Sequence, residues 1–436
     1  MGTIEYFEKK FDQLQSTDKN NQLSSIRQKA FSVLSKVGIP TARHEEWKYT
    51  RIGGLFNKEY QFPVVQVATQ FSTEELKPLR LPGHENANEI VFVNGLFSST
   101  LSSIRSKGLV LLPLEEAARN KYKAIIAKHF GHSGQYLTDG INALSTAFVA
   151  GEIFIHINKG LATEHPLYIY NITDARTENI LSQPRSLVYV GENAQVQIVE
   201  TFATIGIQES FTNQVMELIV EKDSITEYYK IQNDSIHANQ VSTTHIRQIG
   251  KSYTHAVTIS LNGALVRNNL NIVLDAEYCE AHLYGLYFQN GKTHIDNHTL
   301  VDNVQPHCLS NELYKGMIDE NATAVFNGKI FVRQKAQKTN AYQSNKNVLL
   351  SDNASVNSKP QLEIFADDVK CSHGCTVGQL DEEALFYLRS RGVPEKAAKS
   401  MLLRGFSSDI LEKIKLAPIR AHIDHLIAER LEFDKS

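Results

Sequence analysis

The stretch Gly151-Glu152-Ile153-Phe154-Ile155-His156-Ile157 is where the chain changes its period. Before it, apolar residues recur every three to four positions. Within it, Ile153, Ile155 and Ile157 alternate with Phe154 and His156, the two-residue period of a strand. Val196 and Ile198, then Met216, Leu218 and Val220, then Ile225 and Ile231 carry the alternation on, and such strands run to about Val369. Between Pro184 and Pro360 there is a single proline, Pro306, and no amphipathic helix. Short corners recur as Glu192-Asn193-Ala194, Lys222-Asp223-Ser224, Glu320-Asn321-Ala322 and Asp352-Asn353-Ala354, where Asn or Asp tolerates left-handed backbone. Their spacing is not strictly periodic, which excludes a short-period solenoid. The Asn-rich stretch from Asn262 to Asn303 also lacks the hairpin spacing of a sandwich. Many short strands with small corners and stacked polar side chains fit an irregular β-helix or a large sandwich, and the pattern favours the β-helix. Its coils would leave two open ends that must be capped or paired.

Upstream, residues 1–150 read mainly as helix. From Gln22, the positions Ile26, Ala30, Val33, Leu34 and Val37 form one apolar face, stopped by Gly38 and Pro40. A second helix is expected from Leu114 to near Gly131, and a third around Leu137, Ile141, Leu144 and Phe148, with a short strand at Ile90–Asn94 between. Downstream, Asp381 is placed to cap a helix carrying Leu385 and Leu388, ended by Gly392. Pro394 opens a helix with Met401, Leu402 and Leu403 before Gly405, and Pro418 opens the last, with Ile419, Ile423, Leu426, Ile427 and Leu431 on one face. The expected organisation is a mainly helical domain over 1–150, a β core over 151–378 and a helical domain over 379–436.

At 436 residues, with 42% hydrophobic and 21% charged residues, the chain has the balance of a globular protein rather than a disordered one. A net charge of −3 without basic runs argues against nucleic acid as a partner. Met1–Lys10 is polar where a signal peptide would be apolar, Gly2 lacks the following Ser or Thr of a myristoylation signal, and no apolar run is long enough to span a membrane. Four cysteines make a poor disulfide framework, so a reducing, cytoplasmic setting is expected.

The densest polar cluster is Asp367-Asp368-Val369-Lys370-Cys371-Ser372-His373-Gly374-Cys375. Cys and His are ligands for iron and zinc. Cys371-x3-Cys375 is not a zinc knuckle, however, and no second pair follows. Any metal here needs ligands from elsewhere, such as another chain. The competing reading, which the residues alone favour, is a tight loop with two buried thiols and a hydrogen-bonded His. Cys279, His282, His294, His298, His307 and Cys308 form a second group. His294 and His298 would share a strand face, so a metal-dependent β-helix enzyme is the alternative function, against polar filling of a β core. Gly250-Lys251-Ser252 and Gly291-Lys292-Thr293 imitate the end of a phosphate loop, but His245 and Leu286 stand where its first glycine is required, and no helix follows. Trp47, within Arg43-His44-Glu45-Glu46-Trp47-Lys48-Tyr49-Thr50, reads as a packed aromatic beside a solvated charged face.

Cys371-Ser372-His373-Gly374, Thr376-Val377-Gly378 and Leu385-Phe386-Tyr387-Leu388-Arg389-Ser390-Arg391-Gly392 form a long C-terminal motif. With Trp47-Lys48-Tyr49-Thr50, Phe92-Val93-Asn94-Gly95 and Asn142-Ala143-Leu144-Ser145-Thr146-Ala147-Phe148, it resembles the SufB/SufD family of iron–sulfur cluster assembly proteins over nearly the whole chain. The Ser-His-Gly element, and the lack of the Glu-His-Glu segment of SufB, place the resemblance on the SufD side. The resemblance implies a right-handed parallel β-helix between helical domains. It implies a non-catalytic scaffold that pairs with SufB and docks the ATPase SufC on its last helices, with Phe386, Tyr387, Arg389, Arg391, Gly392 and Met401 as the partner-binding set. A transient iron–sulfur cluster would form at the SufB interface with His373 as ligand, and none would stay on the lone chain, whose self-pairing is left open. Cys371 and Cys375 would support the loop; Cys375, where the family more often has a small residue such as alanine, reads either as an extra ligand or, the favoured reading, as a buried small side chain. Family complexes are associated with reduced flavin, yet no residue here places a flavin site.

Overall fold

The computed structural model describes residues 3–17, 23–62 and 71–432. Met1, Gly2 and Gln22, used above in reading the N-terminus and the first helix, lie outside the described residues.

Each coil of the chain lends one strand to each of two sheets, so sheet neighbours are alternate strands in sequence and pair in parallel. The result is a parallel β-solenoid. The first sheet ends at Lys370–Gly378 and the second at Ser355–Ile364. Inward positions stack on the same position of the next coil, as in the row Ile246, Ile272, Val301 and Ile330. This row is the period of two read from the sequence, repeated in the third dimension. One coil carries Ile225 onto Tyr253 and another carries Thr323 onto Ser355, unequal lengths that explain why no fixed repeat is visible.

The corners show how the coils couple. Asn193 and Asp223 take left-handed backbone as expected, with φ of 55° and 58°, but in the third corner that role falls to Glu320 rather than Asn321. Tyr278, His307 and Lys338 are left-handed too. The amides of Asn193, Asp223, His307 and Lys338 donate to carbonyls of the following coil, at 2.6 to 2.9 Å. A ladder that continues round the corner offsets the local strain of ~1–2 kcal/mol.

Helices cover both outer faces. On the second sheet, Thr3–Thr17 and Ser24–Val37 pack through Phe7, Phe11, Leu14 and Leu34 onto Phe148 and Phe211. The sequence reading missed Thr3–Thr17. The expected helix from Leu114 to Gly131 is two, Leu114–Arg119 and Lys123–His129, separated at Asn120. Gly140–Ala147 is capped by the Asp139 carboxylate. On the first sheet lie the last two helices, and the helix before them packs on the first of the two. Glu382–Ser390 is capped by Asp381, and Gly392 follows at φ 86°. Glu395–Leu411 does not stop before Gly405, because Ile410 and Leu411 bury against the sheet and hold its last turn. Ala417–Glu432 buries Ile419, Ile423 and Ile427 there. Two strands ahead of Gly151, Asn88–Val93 and Leu109–Pro113, already belong to the stack. Among the described residues no helix is long and apolar enough to cross a membrane.

Candidate functional site: the open end of the solenoid

The two ends of the stack differ. At the first, antiparallel strands close the sheets, Leu96–Phe97 on Asn88–Val93 and Leu109–Pro113 on Ile153–Ile157. At the other, Lys370–Gly378 and Ser355–Ile364 have no further strand beside them among the described residues.

Lys370–Gly378 is held by in-register pairing with Asn340–Leu349, which sets Cys371 beside Ala341, His373 beside Gln343, Cys375 beside Asn345 and Val377 beside Asn347. Cys371 packs on the inner core, and Cys375 Sγ lies 3.9 Å from Asn345 Oδ1. His373, between them on the same face, therefore continues an inward row at a point where no coil covers it. The expected tight loop is thus corrected to an edge strand, because the preceding coil supplies a complete row of backbone partners. Cys371 is half-buried, its thiol pushed up by burial, whereas Cys375 is exposed rather than buried. Alternate residues of a strand stand about 6.6 Å apart, and donors to one ion stand within roughly 4 Å of each other. Cys371, His373 and Cys375 therefore cannot close around one metal ion by themselves.

Behind this strand the interior is polar. Asn345 is fully engaged: its Nδ2 donates to Tyr287 Oη at 3.0 Å, and its Oδ1 accepts from Asn347 Nδ2 at 2.7 Å and Ser358 Oγ at 2.9 Å. Gln343 Nε2 donates to Glu312 Oε2 at 2.8 Å, while Gln343 Oε1 is buried without a partner. Burial pushes Glu312 up to about 7. Sequence reading missed Glu312 and Gln343. The signal present was a polar residue at an inward position, which means nothing until the register is known.

The residues expected to meet a partner lie on the last helices. Phe386 and Tyr387 of Glu382–Ser390 and Met401 of Glu395–Leu411 are exposed, at 74%, 58% and 55%. Arg391 lies over the Tyr387 ring at 5.4 Å and Arg389 meets Glu395 at 3.3 Å. Gly392 supplies the left-handed exit from the helix.

The Cys279–Cys308 group does not converge. Those two cysteines stack in one corner, with Sγ atoms 3.3 Å from the carbonyls of Gly250 and Ala276. His282 is on the outside of the first sheet with Glu280, whereas His294 and His298 are on the outside of the second, beside Thr50 and Asp296. His307 stacks on Tyr278 at 4.8 Å. Among the described residues no three His, Cys, Asp or Glu side chains are placed to hold one metal ion. Trp47 is packed as expected, under Arg267 at 3.8 Å, but Glu46 is not simply solvated: a hydrogen bond from His298 holds its carboxyl down at about 2. A cavity of about 770 Å³ opens beside them. Its cations are already matched, Arg267 by Asp296, Arg333 by Asp302 and Lys329 by Glu46 and Glu363.

Residues 3–169 match the SufBD protein N-terminal region, and residues 172–406 match the SufBD core domain of SUF system FeS cluster assembly. The chain is 31% identical over 429 residues to an iron–sulfur cluster assembly SufBD family protein of Synechocystis sp., covering 95% of this chain and 92% of that one. It is 28% identical over 402 residues to the iron–sulfur cluster assembly protein SufD of Escherichia coli, covering 91% and 90%. Over 420 residues it is 27% identical to the chloroplastic protein ABCI7 of Arabidopsis thaliana, covering 91% and 84%.

Proposed function

The chain belongs to the SufBD family of iron–sulfur cluster assembly proteins, and from that premise we propose that it is a non-catalytic scaffold subunit that pairs with SufB and docks the ATPase SufC. One observation carries the reading: a solenoid closed at one end by antiparallel strands and left open at the other, with His373 on the last strand. Natural sheets blunt or cover their edges unless a partner pairs with them. The open end also leaves Ile364, Phe365, Val377 and Tyr342 substantially exposed, an apolar rim suited to a second chain.

His373 would offer one neutral imidazole nitrogen to iron of the nascent cluster, the cargo of the complex, with SufB completing the ligand set. Phe386, Tyr387 and Met401, flanked by Arg389, Arg391 and Gly392, would receive SufC. ATP binding that draws two SufC subunits together would strain the scaffold through these helices and open the shared interface, a shift between two packings driven by differential contacts. The proposed setting is cytoplasmic, in keeping with cysteines that stand free of disulfides among the described residues, and the lone chain would hold no cluster.

The test is co-expression with SufB and SufC, followed by anaerobic iron and sulfide analysis of the complex and of the chain alone. The complex should carry a cluster that the lone chain lacks, and His373→Ala should lose it. A metal centre in the lone chain without partner binding would overturn the reading.

A further inference from the structure

We infer that Gln343 positions the His373 imidazole for iron, and that Glu312 holds Gln343 in place to do so. The inference rests on the assignment of His373 as a ligand and adds the groups that would orient it.

An imidazole that binds metal through one nitrogen normally donates its other N–H to an acceptor, which fixes both the tautomer and the ring plane. Glu312, Gln343 and His373 occupy one column on the inner face of three successive coils of the first sheet. Neighbouring strands lie about 4.8 Å apart, so the Gln343 amide is within reach of the ring once His373 turns inward. The amide has a defined sense. Its Nε2 donates to Glu312 Oε2 at 2.8 Å, which commits the NH₂ end and leaves Oε1 as the acceptor still to be used. That oxygen is buried and has no partner, although Gln343 as a whole is only 3% exposed. Across the interior Gly328 makes the room: a Cβ there would fall 2.4 Å from Gln343 Nε2.

The adjacent positions lack this feature. Beside Cys375, Asn345 Oδ1 already accepts from Asn347 and Ser358. Beside Cys371 stands Ala341, without a polar side chain. Of the three residues directly beside Cys371, His373 and Cys375, Gln343 is the one with a spare buried acceptor; the unpartnered Ser310 Oγ of the Cys371 column lies one coil further in.

The experiment uses the complex assembled with SufB and SufC and reads the ferrous iron concentration needed for half-maximal cluster formation, with the final iron and sulfide content. Gln343→Leu, which deletes the acceptor, should raise the iron requirement about 10–100-fold while the complex still assembles. Gln343→Glu keeps an acceptor toward His373 and shares one proton with the buried Glu312 carboxyl in place of the amide N–H, so it should return the requirement to within about threefold of wild type. Gln343→Met keeps the length without the acceptor and takes the place of Leu should that variant fail to yield complex. An unchanged iron requirement in the Leu or Met variant would overturn the inference, as would equal impairment of the Leu and Glu variants. His373→Ala separates the two claims. If it abolishes cluster formation while Gln343→Leu has no effect, only the positioning role falls. If it leaves cluster formation intact, the ligand assignment itself is wrong.

Discussion

Replacing Asp296 by Ala should loosen the N-terminal helical layer from the second sheet before the solenoid itself melts. Asp296 and Arg267 are both about 1% exposed and meet at 2.8 Å, while Thr50 and His298 also bond to the carboxylate. Arg267 in turn covers Trp47 and donates to the Glu46 carbonyl at 2.7 Å, so the pair ties the segment carrying Trp47 and Thr50 to the sheet. Deleting one partner of a buried pair strands the other charge, at ~3–5 kcal/mol. The double replacement Arg267→Met with Asp296→Leu strands no charge, although Thr50, His298 and the Glu46 carbonyl lose a hydrogen-bond partner, and it keeps an apolar group over the indole, so it should cost less than Asp296→Ala alone. Trp47 is the only tryptophan in the chain, which makes its fluorescence a local probe of this layer, with far-UV circular dichroism reporting the strands. In urea, the fluorescence midpoint of Asp296→Ala should fall well below that of wild type and below the variant's own dichroism midpoint. A fluorescence shift worth less than ~1 kcal/mol, or a double variant weaker than Asp296→Ala, would refute the account.

Three further outcomes are expected. Burial pushes Glu312 and Glu152 up to about 7, so between the unfolded value of about 4.5 and pH 7 these two carboxyls hold more proton in the native chain than in the unfolded one, and their contribution to stability falls as pH rises, opposite in sign to that of the buried histidines His129, His245 and His255. Glu312→Gln should remove up to ~3 kcal/mol of that decline, read from urea midpoints at pH 5 and 7.5; parallel curves for the two proteins would count against the buried carboxyl. Gly316→Ala puts a methyl 2.2 Å from the Tyr287 ring and should cost ~1–3 kcal/mol or more in the same titration; a neutral effect would mean that the last coils repack freely. Iodoacetamide on the native lone chain should label Cys375 first, Cys371 slowly, and Cys279 and Cys308 only on denaturation. Peptide mass mapping showing early labelling of Cys279 would contradict the packing of that corner.

Local signals were legible wherever they had local causes. The period of two from Gly151, the Asp381 cap and the Gly392 exit all act within a few residues, and each is present in the structure. Signals failed where a distant coil decides. Ser372 and Gly374 look like part of a turn, yet pairing with Asn340–Leu349, thirty residues earlier, makes them a strand, and the bend is confined to Asp367 and Asp368 before it. Glu320, Tyr278 and Lys338 are poor left-handed residues by type, and an inter-coil hydrogen bond holds at least Lys338 there. Thr3–Thr17 escaped notice because Phe7, Phe11 and Leu14 are few among polar neighbours, and only the sheet beneath shows why they suffice. His373 stood out through its motif, whereas Glu312 and Gln343 gain meaning only from the register.

The polar interior is not uniform along the rod, and the contrast bears on where function sits. Glu200, deep in the stack, is answered by Tyr228 Oη and by Asn171 Nδ2 at 3.0 Å, and Lys230 lies close enough to favour its charge. Lys230 itself donates to Ser242 Oγ at 2.6 Å. Charge buried there is matched by charge, and both partners are held. Glu312, one coil from the edge region, is faced by the neutral groups Gln343 and Thr299, with no cation among its interactions. A leucine in its place would bury more cheaply, because a carboxylate without a counter-charge is among the least favourable groups to enclose. Local rules are broken at a cost chiefly where a site requires it. The unmatched carboxyl, the amide oxygen without a partner and the uncovered histidine fall in one column at the one end of the rod that is not closed. Under the proposed pairing, a second chain closing that end would cover the histidine and enclose the other two.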